Sequence, residues 1–367
     1  MRKNILIFVL IYLALFNNYS YGEELNLSGK SYILIDEVSG RILAGKNIND
    51  KMSMASTTKI MTALVALENG NLDDMVKIGE ESTNIEGSSL YLKPDENMPL
   101  VDLLYGLMLR SGNDAAIAIA NHISGSEEGF IDLMNIKAKS IGADNTNFEN
   151  PHGLTSKNHY STAYDMAIIT KEAFKMPEFS EIASAKNYKG SREEYNYYIN
   201  KNKTLWDYKD GDGVKIGYTM DAGRCLVSSA KRNEMRLIAV SLNAPNWFND
   251  NYKLFDYGFE NFKPYILFNK AQFITNVTIP NGRNEKLPLL TENEFVYPLN
   301  EEEKESIKFK INLDKDLVAT IDKNKVLGNL EVYLEGVLIK RENLVAKTNM
   351  DKKSLLQTII DKIKPNK

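Results

Sequence analysis

The hydrophobic pattern changes period several times along the chain. It starts with an apolar run of 12 residues, Ile5 to Phe16, behind Arg2 and Lys3. That run is short for a membrane span and fits the core of a secretory signal. Small residues at Ser20 and Gly22 suit a signal peptidase, so residues 1–22 are expected to be removed, the alternative being an uncleaved anchor. Residues 31–36 and 41–44 are short β-like runs around a turn at Val38-Ser39-Gly40. Helical spacing takes over from about Ser56 to Asn69, where Ile60, Met61, Leu64 and Leu67 share a face and Gly70 stands at C′. Further helices are predicted over 99–109, with Leu103, Leu104, Leu107 and Met108 as the buried stripe, over the Ala-rich stretch 114–122, and over 164–174.

Residues 213–242 read as three β segments, GVKIGYT, CLVSSA and RLIAVSL. Strand, then several helices, then a return to strands predicts an α+β layered domain rather than alternating βαβ units. A boundary is expected near 261–264, which makes 23–262 one domain. Residues 263–347 carry short alternating runs (FITNVTI, FKINL, LVATI, LEVYLEGVLI) and predict a small all-β domain. Within the last segment, 348–367, Leu355, Leu356, Ile359, Ile360 and Ile363 fall on one helical face and five lysines lie elsewhere. Such a helix either lies in a membrane interface or packs on its own β domain.

Composition narrows the field. A chain of 367 residues with 43% apolar and 26% charged residues is an ordinary globular protein of about two domains. Its net charge of −4 gives no basic excess for nucleic acid, and loss of Arg2 and Lys3 with the signal makes it more negative. The lone Cys225 excludes an intrachain disulfide framework and suits export. Three histidines leave little material for a metal centre, and no metal or organic cofactor is implied.

Three short motifs stand in order: Ser56-Thr57-Thr58-Lys59, Ser111-Gly112-Asn113 and Lys215-Ile216-Gly217. Each is weak alone, since S-x-x-K recurs at Ser228 to Lys231 and K-I-G at Lys77 to Gly79. Context separates them. Ser56 and Lys59 occupy the first turn of a helix, where a spacing of three puts both on one face. A lysine kept neutral by burial or a second cation can take the serine proton. Ser228 and Lys231 lie on a strand and point to opposite faces. Ser111 and Asn113 join two helices, as caps or as groups facing a cleft. Lys215 begins a β segment whose edge suits an extended peptide. His122, His152 and His159 lack the G-x-S-x-G elbow of a histidine triad, and His159 reads as part of a polar loop.

In longer context, the strings MASTTKIMTALVALE, LMLRSGNDAAIAIA, NPHGL, HYSTAYDMA and DGVKIGYTMDAGRCLVSSAKR resemble the penicillin-recognising serine enzymes. They resemble most the D-alanyl-D-alanine carboxypeptidases among the low-molecular-mass penicillin-binding proteins, the S11 peptidase family. The resemblance covers about residues 24–262. It implies a β-lactamase/transpeptidase-like layered domain, an antiparallel sheet with helices, followed by the β-rich domain. It further implies Ser56 as the acylated nucleophile, Lys59 as its base and Ser111 as a proton shuttle. Asn113 would bind the substrate amide and Lys215 the terminal carboxylate. The Ser56 and Tyr218 amides would form the oxyanion hole, and Thr219 and Arg236 would add to the substrate shell.

The implied substrate is a peptidoglycan stem peptide ending in D-Ala-D-Ala, with β-lactams as covalent inhibitors and an exported, extracytoplasmic location. One departure stands out: Ile216 replaces the usual threonine of K-T-G. Losing a hydrogen bond to a charged group costs roughly 1.5–3 kcal/mol, a ten- to hundredfold effect on affinity. Thr219 is placed to compensate. The alternatives are a β-lactamase, an endopeptidase, or a peptidoglycan-binding protein of the same fold that has lost activity.

Overall fold

The computed structural model describes residues 25–357. The expected signal segment and residues 358–367 of the tail lie outside them. The chain divides into two compact units, one ending at Glu260 and the other starting at Asn261.

The first unit is built on a five-stranded antiparallel sheet. Strands β1 (Ser31–Asp36) and β2 (Ile42–Lys46) form its first hairpin. The helices follow: α1 (Lys59–Asn69), α2 (Leu100–Tyr105), α3 (Asn113–Ser124), α4 (Glu127–Ser140), α5 (Ala163–Ala173) and α6 (Pro177–Ser184). The chain then returns to the sheet as β3 (Gly211–Thr219), β4 (Gly223–Arg232) and β5 (Met235–Leu242). The strand order is β2-β1-β5-β4-β3, so β5 is central, β1 is interior and β3 is an edge. Helix α7 (Trp247–Asn261) follows.

Every residue of β1 is buried, because the sheet is covered on both faces. Ile33, Ile35, Ile238 and Val240 join the core shared with α1 and α5. The alternate residues Leu34 and Leu237 face α7, where Gly258 comes close to both. Helix α1 is buried continuously from Lys59 to Ala66, which marks it as the central helix of the layer.

Three sequence readings change here. Gly70 does end α1, but with φ −114°, outside the left-handed region. Its role is room: a Cβ there would lie 2.6 Å from Ile123 and 2.7 Å from Leu100. Helices α4 and α7 had no reading from sequence. Their runs are rich in Glu, Lys, Asn and Asp, and α4 buries only Phe130, Met134 and Ala138. The 99–109 helix is α2 followed by a π-type turn, Gly106–Arg110, that ends on Ser111 in the left-handed region (φ 67°, ψ 32°).

The second unit pairs β6 (Lys263–Phe268) with β9 (Phe295–Leu299). A five-stranded sheet combines β7 (Phe273–Thr278), β8 (Lys286–Thr291), β10 (Ile307–Leu313), β11 (Val326–Leu334) and β12 (Val337–Ala346) in the order β7-β8-β12-β11-β10. Leu287, Leu289, Leu330, Val332 and Leu344 form its core. The run LEVYLEGVLI is a hairpin turning at Glu335-Gly336, both at positive φ. The LVATI run is not a strand; only Ile321 pairs, in an isolated bridge to Met350. The α+β class and the all-β second unit match the sequence reading.

Candidate active site

Ser56 sits in a 3-10 turn, Ala55–Thr58, that leads into α1. Ala55 has φ +48°, an unfavourable conformation for alanine that the surroundings must hold in place. Part of that hold lies under the turn. Glu149 N–H donates to His159 Nδ1 (3.0 Å), so the ring proton is on Nε2 and is donated to Thr58 Oγ1 (2.9 Å). Thr58 in turn donates to the Ala55 carbonyl (2.8 Å). Burial pushes His159 down to about 4, which keeps the ring neutral. His159 does lie in a loop, as read from sequence, but its ring is buried beneath the nucleophile turn, where both nitrogens are satisfied.

Lys59 is fully buried, one helical turn below Ser56. Its Nζ lies 3.2 Å from Ser56 Oγ, and it donates to Asn113 Oδ1 (2.6 Å) and to the His152 carbonyl (2.5 Å). Burial, then the nearby Lys215 cation, hold its pKa well below the ordinary lysine value, against the pull of Asp114. His152 is itself pushed down to about 3 by burial and by Lys59.

Asn113 is held on three sides. Besides receiving Lys59, it donates through Nδ2 to the Glu86 carbonyl (2.5 Å) and through its backbone N–H to the Ser88 carbonyl (2.7 Å). It is no simple helix cap: Gly112 holds the N-cap position of α3 and no side chain caps it. Ser111 is buried, and its hydroxyl has no partner among the described residues.

Lys215 lies on edge strand β3, almost wholly buried, with Nζ donating to the Ile216 carbonyl (3.0 Å). Burial, helped by the Lys201 cation, pushes it down to about 7. Strand alternation puts Lys215, Gly217 and Thr219 on one face and Ile216 and Tyr218 on the other. Gly217 is needed for close approach: a Cβ there would lie 2.8 Å from the Ser56 amide nitrogen. Tyr218 follows at the strand end with an exposed ring. Thr219 Oγ1 accepts from Ala222 N–H (3.0 Å), which leaves its own proton free to donate.

Arg236 does not join this cluster. Its Nε donates to Asp212 (2.9 Å), and its guanidinium lies 4.3 Å over the Phe174 ring. It pairs with Lys231, whereas the Lys215 row runs through Val227 to Val240. Four residues along a strand put it about 13 Å away. The second S-x-x-K is not a site either: Ser228 is buried under Asn251, while Lys231 faces solvent.

Asp114, which had no reading from sequence, orders one wall. Its carboxylate accepts from Ser89 Oγ (2.6 Å) and from the Leu90 (2.8 Å) and Leu92 (3.3 Å) amides, tying loop 88–92 to the start of α3. An acidic residue in a first helical turn reads as dipole compensation, so no sequence signal separated it.

The arrangement is a serine beside a buried amine with depressed pKa, at the edge of an antiparallel sheet. The family profile described as D-alanyl-D-alanine carboxypeptidase matches residues 19–246. This chain belongs to that family, peptidase S11. Residues 261–352 match the profile described as penicillin-binding protein 5, C-terminal domain. D-alanyl-D-alanine carboxypeptidase DacF of Bacillus subtilis is 35% identical over 340 residues, covering 90% of this chain and 87% of the relative. DacC of Escherichia coli is 33% identical over 365 residues, covering 90% and 86%. Among solved structures, penicillin binding protein 5 of Haemophilus influenzae superposes with a TM-score of 0.80 at 32% identity, over 90% of this chain and 99% of that one. S11 membership supports the carboxypeptidase reading, a serine hydrolase of the penicillin-binding type, over a β-lactamase or a non-catalytic binding protein.

Proposed function

We propose that this S11 chain removes the terminal D-alanine from peptidoglycan stem peptides through an acyl-enzyme on Ser56. The observation that carries this is the Lys59 environment. Asn113 Oδ1 and the His152 carbonyl take two hydrogens of a neutral Nζ. Its lone pair is then left for Ser56 Oγ. Ser56 Oγ attacks the carbonyl carbon of the penultimate D-alanine as its proton passes to Lys59. The oxyanion develops against the Ser56 and Tyr218 amides. The proton returns to the leaving amine, with the free Ser111 hydroxyl as carrier, and D-alanine departs. Water then cleaves the ester. Lys215, charged below about pH 7, attracts the substrate carboxylate. A β-lactam offers the same carbonyl and carboxylate and stays bound. The test is paired: D-alanine release from a D-Ala-D-Ala pentapeptide, and intact mass after mixing with benzylpenicillin. One penicillin added per chain, together with D-alanine release, is expected; neither event would overturn the reading.

Ile216→Thr probes the departed motif. Edge strand β3 has a free edge that residues of both faces flank. A restored hydroxyl is expected to raise kcat/KM about ten- to hundredfold, from one hydrogen bond to a charged carboxylate. An unchanged value would show that residue 216 does not bind the carboxylate, and Thr219→Val would then test whether Thr219 does.

We further propose that the enzyme works outside the cytoplasmic membrane and touches its surface through the C-terminal segment. Leu355 and Leu356, at the start of the apolar face, are 85% and 70% exposed. Among the described residues, no helix is long and apolar enough to cross a membrane, and the one-sided apolar pattern of 355–363 suits interfacial contact. Deleting residues 351–367 is expected to abolish co-sedimentation with anionic liposomes. Unchanged sedimentation would sink the idea.

A further inference from the structure

A cavity of about 190 Å³ opens beside the site. It is lined by Ser89, Tyr91, Arg110, Tyr195, Tyr197 and Tyr198. Its walls are continuous with the active-site loops. Arg110 immediately precedes Ser111, and Ser89 follows Ser88, whose carbonyl holds the Asn113 amide.

Three features of this cavity have no structural use among the described residues. Tyr198 is 2% exposed, and its hydroxyl faces the Arg192 guanidinium without a well-aligned hydrogen bond among the described residues. The neighbouring Arg192 is committed to the Leu90 and Tyr91 carbonyls and to Glu96. Buried polar groups left unpaired in this way call for a ligand or water. The Arg110 side chain makes no ion pair or hydrogen bond among the described residues, and the charge it acts on is another cation, Lys201. Finally, Tyr91, Tyr195 and Tyr197 are 62%, 61% and 55% exposed at the rim. Tyr91 (φ 60°) and Tyr195 (φ 52°) are both in the left-handed region, which is costly for tyrosine, and their rings stand 5.4 Å apart. The Arg192 bonds to loop 90–96 help to hold them there.

Flat tyrosine faces offer rigid contact area at low entropic cost. They suit the apolar face of a sugar ring, while a guanidinium fork and a phenol suit its hydroxyls. The cavity is smaller than a drug-sized pocket and fits one ring. We propose that it binds a pyranose of the peptidoglycan glycan strand, so that the enzyme recognises stem peptides still attached to sugar. This rests on the carboxypeptidase reading above.

The test uses the native full chain and a Tyr91→Asn/Tyr195→Asn variant. Asparagine tolerates the left-handed backbone, so the rings are removed without added strain. Saturation-transfer NMR with the peptide-free N-acetylglucosaminyl-N-acetylmuramyl disaccharide is expected to show binding that weakens about tenfold or more in the variant. In kinetics, the native enzyme is expected to prefer a disaccharide-bearing pentapeptide to the free pentapeptide by about tenfold. The variant should lose that preference and keep native rates on the free peptide and on benzylpenicillin. No disaccharide binding, or equal binding by both proteins, would overturn the proposal. So would an equal loss on both peptides, which would assign the pocket to the peptide. Disaccharide binding without any penicillin adduct would instead overturn the carboxypeptidase reading and leave the sugar site standing.

Discussion

Ser56→Ala is expected to remain folded, to form no penicillin adduct, and to lose D-alanine release by about 10⁶-fold, the scale seen when a serine hydrolase loses its nucleophile. That is about 8 kcal/mol of transition-state stabilisation. The fold should tolerate the change because Ser56 Oγ has one partner among the described residues, the Lys59 amine at 3.2 Å. Lys59 keeps its other two acceptors, so no buried group is newly orphaned. The check is intact mass after benzylpenicillin, with circular dichroism to confirm the fold. An adduct of native stoichiometry on the alanine variant would move the nucleophile elsewhere, and the free Ser111 hydroxyl would be the next to test.

Lys59→Met is expected to slow acylation by benzylpenicillin about 10²- to 10⁴-fold, the usual contribution of a positioned base. Methionine fills similar volume without a charge. The pH profile separates loss of a base from loss of packing. In the native enzyme, Lys59 must be neutral to accept the Ser56 proton. Its pKa is lowered by burial first and by Lys215 second, so kcat/KM rises as pH climbs through that depressed value. Lys215, pushed down to about 7, must be charged to attract a carboxylate, so kcat/KM falls as pH rises past it. The two lysines interact, and the limbs belong to the pair. Stopped-flow acylation of Lys59→Met across pH should lack the rising limb. A variant that is slow but keeps the native rising limb would remove Lys59 from the role of base and leave it a structural one.

Much of this was legible in the chain before any coordinates. The i, i+3 spacing placed Ser56 and Lys59 on one face of a helical turn, and the structure puts Ser56 in the 3-10 turn that leads into α1 and Lys59 at the first residue of α1. Alternation and turn residues marked the hairpin region 213–242 and the β-rich second unit. The α+β class followed from the order of those elements, and the three motifs with their flanking strings pointed to the family.

Other features depended on groups far apart in sequence. Lys59 is set by the Asn113 side chain, the His152 backbone carbonyl and the Lys215 charge. Backbone atoms carry no sequence signal, and a buried lysine looks like any other until the chain closes over it. Arg236 shows the converse. The family resemblance put it in the substrate shell, but antiparallel register places it along the sheet beside Asp212. Helix α4 was hidden because it buries only Phe130, Met134 and Ala138, which leaves a weak period, whereas α7 carries a clear amphipathic period that went unread among its many polar residues. The tyrosine cavity likewise joins residues 89–91, 110 and 195–198. The chain by itself thus determined the elements, the motifs and the Ser56–Lys59 pair, because those are set by local spacing. Only the tertiary structure decided which charges, carbonyls and rings meet around them, because burial and register are properties of the packed whole.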